Sequence, residues 1–432
     1  MQTKKVRILV AALMLVSAPA FSTGLSPVEK NIINVVKADK ESQIHFLETL
    51  TNIQSGTLNI KGVHAVGEVV KKDLEQLGFQ TTWAKSPAVM NRGGTLMAIH
   101  PSKHGKRLLL IAHLDTVFSQ QAPFKKFSQK KHSATGQGVL DDKGGIAVML
   151  YALKALDKVG RLKDMNVTVM LMGDEEESGK PASISRRPLM MAANKADISL
   201  DFEPSISLGT ATIARRGISN WTMTVNGNAS HSATIFHPDV GVGAIFGVAK
   251  RLDDMRTQMK DIPNLSFNPG LIFGGSSVSY NAAASSGTAL GKENVVASVV
   301  KVKGDVRYLD EKQKQSAEQK MRDIVSSKLP GIKSNIEFVD GIPPMSPTAN
   351  NLKLLNAYSQ VSQDLGQGKV VPIPANARGA GDISYIAGVV QANLSGIGPV
   401  GFGTHTVIES IDLSSLITQT ERAAILMMRL TS

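Results

Sequence analysis

Histidines and acids recur in this sequence where apolar runs end, and their types suit the binding of cations. LLLIAHLDTV places His113 and Asp115 two residues apart, on one face of a strand that closes there. A lone histidine at such a point is more often a core residue. A metal-binding imidazole, however, usually has a carboxylate holding its other nitrogen, and Asp115 supplies one. GVLDDKGG puts Asp141 and Asp142 at the mouth of a helix, where a single acid suffices as the N-cap and the other is free to be a ligand. VTVMLMGDEEESG empties an apolar, β-branched run into four acids, Asp174 to Glu177. Carboxylates crowded at the end of a buried strand repel one another unless a divalent ion neutralises them, although Glu177 reads as solvated surface. Adjacent Glu175 and Glu176 allow one to ligate a metal while the other takes a proton from its water. DFEP adds Glu203 and GFGTHTVIES adds His405. Two imidazoles and three or four carboxylates are enough for two metal ions sharing a bridging carboxylate. With no cysteine in the chain, the donors suit Zn²⁺, Mn²⁺ or Co²⁺.

Positioning these groups requires strands whose carboxyl ends converge. GTLMAIH, RLLLIAH, NVTVMLMG and a segment near DISLDFEP read as strands. They alternate with helical stretches, one of which, about 144–159, has an apolar face of Ile146, Met149, Leu150, Leu153 and Leu156. Residues 28–51 and 63–77 also have helical periodicity. The alternation predicts an α/β sheet covered by helices on both faces, with chemistry at the carboxyl ends of the strands. Beyond Thr212 the order becomes β-α-β-β-α-β, through ARRGISNWTMTVNG, a helix at about 238–259, NPGLIFGG, NVVASVVKVKGDVRYL, a helix at about 311–327, and SNIEFVDG. That is the split ferredoxin-like unit. Its Ser/Ala/Gly-rich segment SSVSYNAAASSGTALG reads as a flexible loop. The α/β texture returns near Pro343, with a helix at about 350–364. Residues 213–341 are thus expected as an insertion between the two parts of a larger domain, 23–212 and 342–432.

The chain has 432 residues, 42% hydrophobic and 19% charged, which is globular composition and room for two domains. Disorder and collagen-like structure are excluded. Lys4, Lys5 and Arg7, an apolar run from residue 8 to about 16, and Ala18-Pro19-Ala20 make residues 1–22 a cleavable secretory signal. The run is short of the roughly 20 residues that span a bilayer. A periplasmic or secreted protein without stable membrane association is expected, and the absence of cysteine fits an oxidising compartment. A formal charge of +12 invites a nucleic-acid partner. Aromatics at 5% and the lack of a basic stripe interleaved with them argue instead for a surface that attracts small anionic substrates. The basic loop KKFSQKKH, residues 125–132, has no assigned role.

The ordered set AHLDTV, GVLDDKGG, GDEEESG, DFEP, NASHS and GFGTH resembles the dizinc family of aminoacylase, succinyl-diaminopimelate desuccinylase and glutamate carboxypeptidase, most of all its bacterial glutamate carboxypeptidases. The likeness runs from about residue 30 to the C-terminus. It implies two zinc ions, one held by His113 and Glu203 and the other by Glu176 and His405, with Asp141 bridging, Glu175 as general base and Asp115 orienting His113. It also implies that the insertion is a lid through which the chain forms a homodimer. His231 in NASHS would stabilise the oxyanion, often in the neighbouring subunit's site. Asn294, Arg307 and, in NARGAGDISY, Arg378 with Gly381 and Asp382 would contact substrate. DEEES departs from the common pattern and leaves the loop after Glu176 open. The glutamate at position 203 is similar to carboxypeptidase and deacylase members. The implied reaction is removal of a C-terminal amino acid, glutamate first. N-acyl-amino-acid deacylase or dipeptidase activity is the alternative, and a binding protein without catalysis would require a missing ligand.

Overall fold

The structure is a computed structural model that describes residues 24–102, 105–281 and 285–431. The expected signal at 1–22 lies outside them. A six-stranded mixed sheet runs in the order Gln80–Ala84, Thr95–His100, Asn166–Met172, Arg107–His113, Ile198–Asp201 and Ala392–Ser395. The last four strands are parallel, and the first two are antiparallel to their neighbours. Alternation along the central strands explains why the runs are apolar throughout. Leu108, Leu110, Ala112, Val167, Val169 and Leu171 point into the main core, and Leu109, Ile111, Met170 and Met172 into a smaller one on the other face.

Helix Lys143–Lys158 lies in the main core, and its burial goes beyond the single apolar face read from the sequence. Ala147, Val148, Tyr151, Ala152 and Ala155 are buried as well, because helices Pro27–Ala38, Lys40–Thr51 and Leu413–Thr431 cover its outer side. The stretch read as helical over 28–51 is two helices that break at Asp39, whose carboxylate accepts Lys158 Nζ at 2.7 Å. Four short strands, Gly401–Phe402, Ser410–Asp412, Ser133–Thr135 and Ser128–Lys130, form a small sheet. It ties part of the basic loop to the segment carrying His405, and Lys125 Nζ donates to the Val407 carbonyl at 3.1 Å.

A second sheet, ordered Ser266–Gly275, Val299–Tyr308, Gly217–Asn226 and Lys333–Asp340, is antiparallel throughout. Helices Gly243–Met259 and Glu311–Ser326 pack on it around a core of its own that includes Trp221, Met223, Val302 and Met321. This is the ferredoxin-like order. The first of these helices starts five residues later than expected, because Pro238 to Gly241 form a turn with Gly241 at φ +79°. The Ser/Ala/Gly-rich segment is mostly not a loop. Ser277–Asn281 pairs with Ser286–Leu290 as a hairpin, with Tyr280 stacked near Phe273 and under Lys303 Nζ. The chain passes into and out of this unit side by side, where Arg215 and Met345 exchange two backbone hydrogen bonds of 2.9 Å. Among the described residues, no helix is long and apolar enough to cross a membrane.

Candidate metal centre

Strand register assembles the first ligands. His113 pairs with Met172, so the acid run begins just beyond it on the neighbouring strand. Ile111 pairs with Asp201, which sets Glu203 level with His113 on the other side. All three segments leave the sheet at its carboxyl edge. His113 Nδ1 is 3.0 Å from the Asp115 carbonyl, which can only accept, so that nitrogen carries the proton and Nε2 is turned toward the acids of the site. Nε2 lies 3.0 Å from Asp141 Oδ1 and 3.6 Å from Glu203 Oε1. His405, at φ +65° in its loop, brings its Nε2 to 3.2 Å from Asp141 Oδ2 and 3.3 Å from Glu176 Oε2. The two oxygens of Asp141 therefore face two imidazoles, each flanked by one further glutamate. The Asp141–Asp142 peptide bond is cis.

Asp115 is fully buried and accepts Thr57 Oγ1 at 2.6 Å, Glu175 N–H at 3.0 Å and Glu176 N–H at 3.2 Å. It thus fixes the first imidazole and both glutamates of the acid run. Burial opposes its ionisation, but the bonds from His113, Thr57 and Glu175 outweigh that and keep its carboxyl below the usual range. Burial, then the nearby Glu203 charge, pushes Glu175 well above it, and burial raises Glu176. Asp174 is spent on structure, accepting Gly179 N–H, Ser185 Oγ and the Arg186 guanidinium. Glu177 is exposed and pairs with Arg92 at 2.7 Å.

A cavity of about 250 Å³ is lined by Asp141, Glu175, Glu176, Glu203, Arg215, Arg378 and His405. Its acids come from three separate loops, and Glu176 Oε1 is buried without any hydrogen-bond partner. Such an orphaned oxygen, among oxygen and imidazole donors drawn together against their own repulsion, fits a pair of divalent cations. Two overlapping ligand groups meet the spacing a metal needs, His113 with Asp141 and Glu176, and His113 with Glu175 and Glu203. His405 is outside both, yet its contacts with Asp141 and Glu176 are short enough that we count it with them.

Hydrogen bonds to Asp141 and Glu176 push His405 up to about 10, so without metal it is a cation at neutral pH. A metal must displace that proton. Binding near pH 7 should release protons, and apparent affinity should rise by about tenfold per pH unit for each proton displaced, levelling off above pH 10. Calorimetry in buffers of different ionisation enthalpy checks this; an affinity independent of pH between 6 and 9 would contradict it.

Several site residues escaped the sequence reading. Arg215, the first arginine of IARRG, is buried and reaches Ser395 Oγ at 2.8 Å and Glu203 Oε2 at 3.4 Å. Arg186 joins Asp174 to Asp382 through contacts of 2.7 and 2.6 Å, so Asp382 serves a buried ion pair and does not line the cavity. Glu409 is the most consequential. Four residues after His405, it accepts the N–H groups of Gly138 at 2.8 Å, Leu140 at 2.9 Å and Asp141 at 3.0 Å. One buried carboxylate thereby holds the loops of two ligands together; its only signal in the sequence is an acid within the apolar surroundings of THTVIES. Glu409→Gln replaces an acceptor by a donor and strands at least one buried N–H. About 1–3 kcal/mol of stability should be lost, with about tenfold weaker metal binding. Thermal unfolding and metal titration measure both, and wild-type values would contradict this role.

Of the remaining residues expected at the site, Arg378 lines the cavity, donating to Glu203 Oε2 at 3.1 Å and to the Pro204 carbonyl at 2.9 Å. His231 and Asn294 do not line it. They are exposed together on the second unit, where Ser232 N–H donates to the Asn294 carbonyl. Arg307 is half-exposed on the same unit and bonded to Asp305 at 3.0 Å.

The family model described as Peptidase family M20/M25/M40 matches residues 109–429, which contain every one of these candidate ligands. The chain belongs to this family. It is thus a metallopeptidase. Carboxypeptidase G2 of Pseudomonas sp. (strain RS-16) is 28% identical to this M20 peptidase over 97% of each chain. Among solved structures, aminopeptidase PepT of Bacillus cereus superimposes with a TM-score of 0.71 at 18% identity, covering 91% of this chain and 99% of its own. Bacillus subtilis YXEP, described as a dinuclear metal-binding peptidase of the M20 family, does so with a TM-score of 0.63 at 14% identity, covering 91% and 99%.

Proposed function

We propose that this M20 peptidase is an exported carboxypeptidase that hydrolyses the amide bond to a C-terminal amino acid, glutamate first, on a pair of divalent cations, zinc first. The observation that carries the reading is Asp141 set between two imidazoles, His113 at 3.0 Å and His405 at 3.2 Å. His113 and Glu203 would hold one ion, Glu176 and His405 the other, with Asp141 shared. When bound, the pair supplies an acidified water and polarises the scissile carbonyl. Glu175 takes the proton from the attacking water and hands it to the leaving amine, and its raised proton affinity suits the second step. Asp115 holds Glu175 by its N–H, so base and ligands share one support. Arg378 presents a guanidinium to the substrate's carboxylate.

The name of the Pseudomonas relative supports the carboxypeptidase assignment, and Glu203 in the third ligand position agrees with it. Kinetics over a panel of C-terminal residues and N-acyl amino acids test it, with zinc-loaded enzyme and with chelator. The highest kcat/KM is expected on C-terminal glutamate, abolished by the chelator; release of N-terminal residues would overturn it. Export is tested by the N-terminus of the protein recovered from cells, expected after Ala20 or Ser22; a retained leader would contradict it.

We also propose a homodimer through the second unit, which acts as a lid and carries His231 and Asn294 to the partner's site, with Arg307 of the same unit as a further substrate contact. Support comes from large apolar side chains left exposed on this unit, Phe236, Ile245, Phe246, Ile272 and Leu290, of which Phe236 and Phe246 pack with ring centroids 5.7 Å apart. Phe246→Glu should yield monomers in light scattering with reduced turnover, and a persisting dimer would refute this interface.

A further inference from the structure

The cavity at the candidate ligands has a neighbour that the reaction above leaves unused. A second cleft, of about 230 Å³, shares Glu176 with it and is walled by residues 56–59 and 117–121. The walls are tied together. Thr57 N–H donates to the Thr116 carbonyl at 3.2 Å, Thr116 N–H to the Ser55 carbonyl at 2.9 Å, and Gln54 Nε2 to the Ser119 carbonyl at 2.9 Å. Gly56 passes so near the Phe118 carbonyl that an added Cβ would fall 1.9 Å from its oxygen. The inner end is anchored too, since the Thr57 hydroxyl donates to the same Asp115 carboxylate that accepts the N–H groups of Glu175 and Glu176. The cleft is therefore preformed and rigidly related to the reacting centre.

Its chemistry differs from that of the first cavity. Leu58 and Val117 leave 53% and 39% of their surface exposed within a built recess, where apolar side chains gain nothing from water. Gln120 and Gln121 contribute neutral amides, and the charged lining residues are Glu176 and Glu177. The described lining includes no lysine or arginine, whereas the first cavity has Arg215 and Arg378. Glu177 is already paired with Arg92, so the described lining offers an anionic group no cationic partner, whereas the first cavity presents Arg378.

We propose that this cleft is the subsite for the group on the carbonyl side of the scissile bond, and that it selects an uncharged, apolar side chain or acyl group through Leu58 and Val117. The assignment rests on the peptidase reading above. A leaving amino acid whose carboxylate lies at Arg378 places its scissile carbonyl at Glu175 and Glu176, and the acyl portion continues into the cleft that Glu176 also lines.

The test compares kcat/KM for N-acetylated dipeptides with Leu or Asp on the carbonyl side, across a series of leaving amino acids, in wild type, Leu58→Lys and Val117→Lys. Wild type should favour Leu by about tenfold or more. Each lysine variant should shrink or invert that ratio by about tenfold. Circular dichroism and metal content verify that both variants are folded and loaded. Equal cleavage of Leu and Asp substrates by wild type, or folded variants that keep the wild-type ratio, overturns the proposal. Turnover of C-terminal glutamate without acyl preference sinks the cleft alone. An apolar acyl preference on substrates ending in another residue sinks the glutamate assignment and leaves the cleft standing. No turnover anywhere sinks both.

Discussion

Glu175→Gln is expected to lower kcat/KM by roughly 10³-fold while metal content stays at two ions per chain. The amide is nearly isosteric and keeps the backbone N–H that Asp115 accepts, so the loop has no reason to move. What disappears is a group that can take a proton from water and return it to an amine. The metal count also separates a base from a ligand. Glu175 lies within metal-sharing distance of His113 and Glu203, so it could be counted as a ligand. Loss of one ion together with activity would make it a ligand; loss of activity alone makes it the base. Retained activity would refute the base assignment.

Asp141→Asn is expected to have the larger effect on metal. Both oxygens of Asp141 face imidazoles, one at 3.0 Å and one at 3.2 Å, and no other carboxylate of the site is placed between the two histidines. An asparagine keeps one acceptor and turns a donor toward the other ion. Binding of at least one ion should weaken by about 100-fold, and turnover should fall by about 10³-fold. Calorimetric metal titration checks the stoichiometry. A variant that still binds two ions with wild-type affinity would show that Asp141 does not bridge. Substituting His405, which contacts only one side, should by contrast cost one ion and leave the other.

The two substitutions work on residues that the sequence already marked, and the reason is physical. Acids crowded after a buried apolar strand, as at Glu175, or doubled at a helix mouth, as at Asp141, conflict with their surroundings, and that conflict is visible without coordinates. The α/β sheet and the ferredoxin-like order were legible for a similar reason, since strand and helix periods differ sharply in runs such as RLLLIAH and GIAVMLYALKAL. Elements held by tertiary contact alone were not. The hairpin of Ser277–Asn281 and Ser286–Leu290 reads as low-complexity loop because large apolar side chains are few in it, and Tyr280 gains its partners, Phe273 and Lys303, from other strands. The short strands around His405 are two or three residues each, too brief for any period. Glu409 and Arg215 act through backbone N–H groups and distant side chains, so nothing in their immediate sequence announces the task. The same holds for Asp174, which the sequence groups with three other acids and the structure commits to Arg186 and the turn at Gly179.

Anomalous scattering from a crystal of the zinc-loaded protein tests the central claim most directly. Two peaks are expected flanking the Asp141 carboxylate, one against His113 and Glu203 and the other against Glu176 and His405. A single peak, or a pair that leaves His405 or Glu203 without an ion, would contradict it.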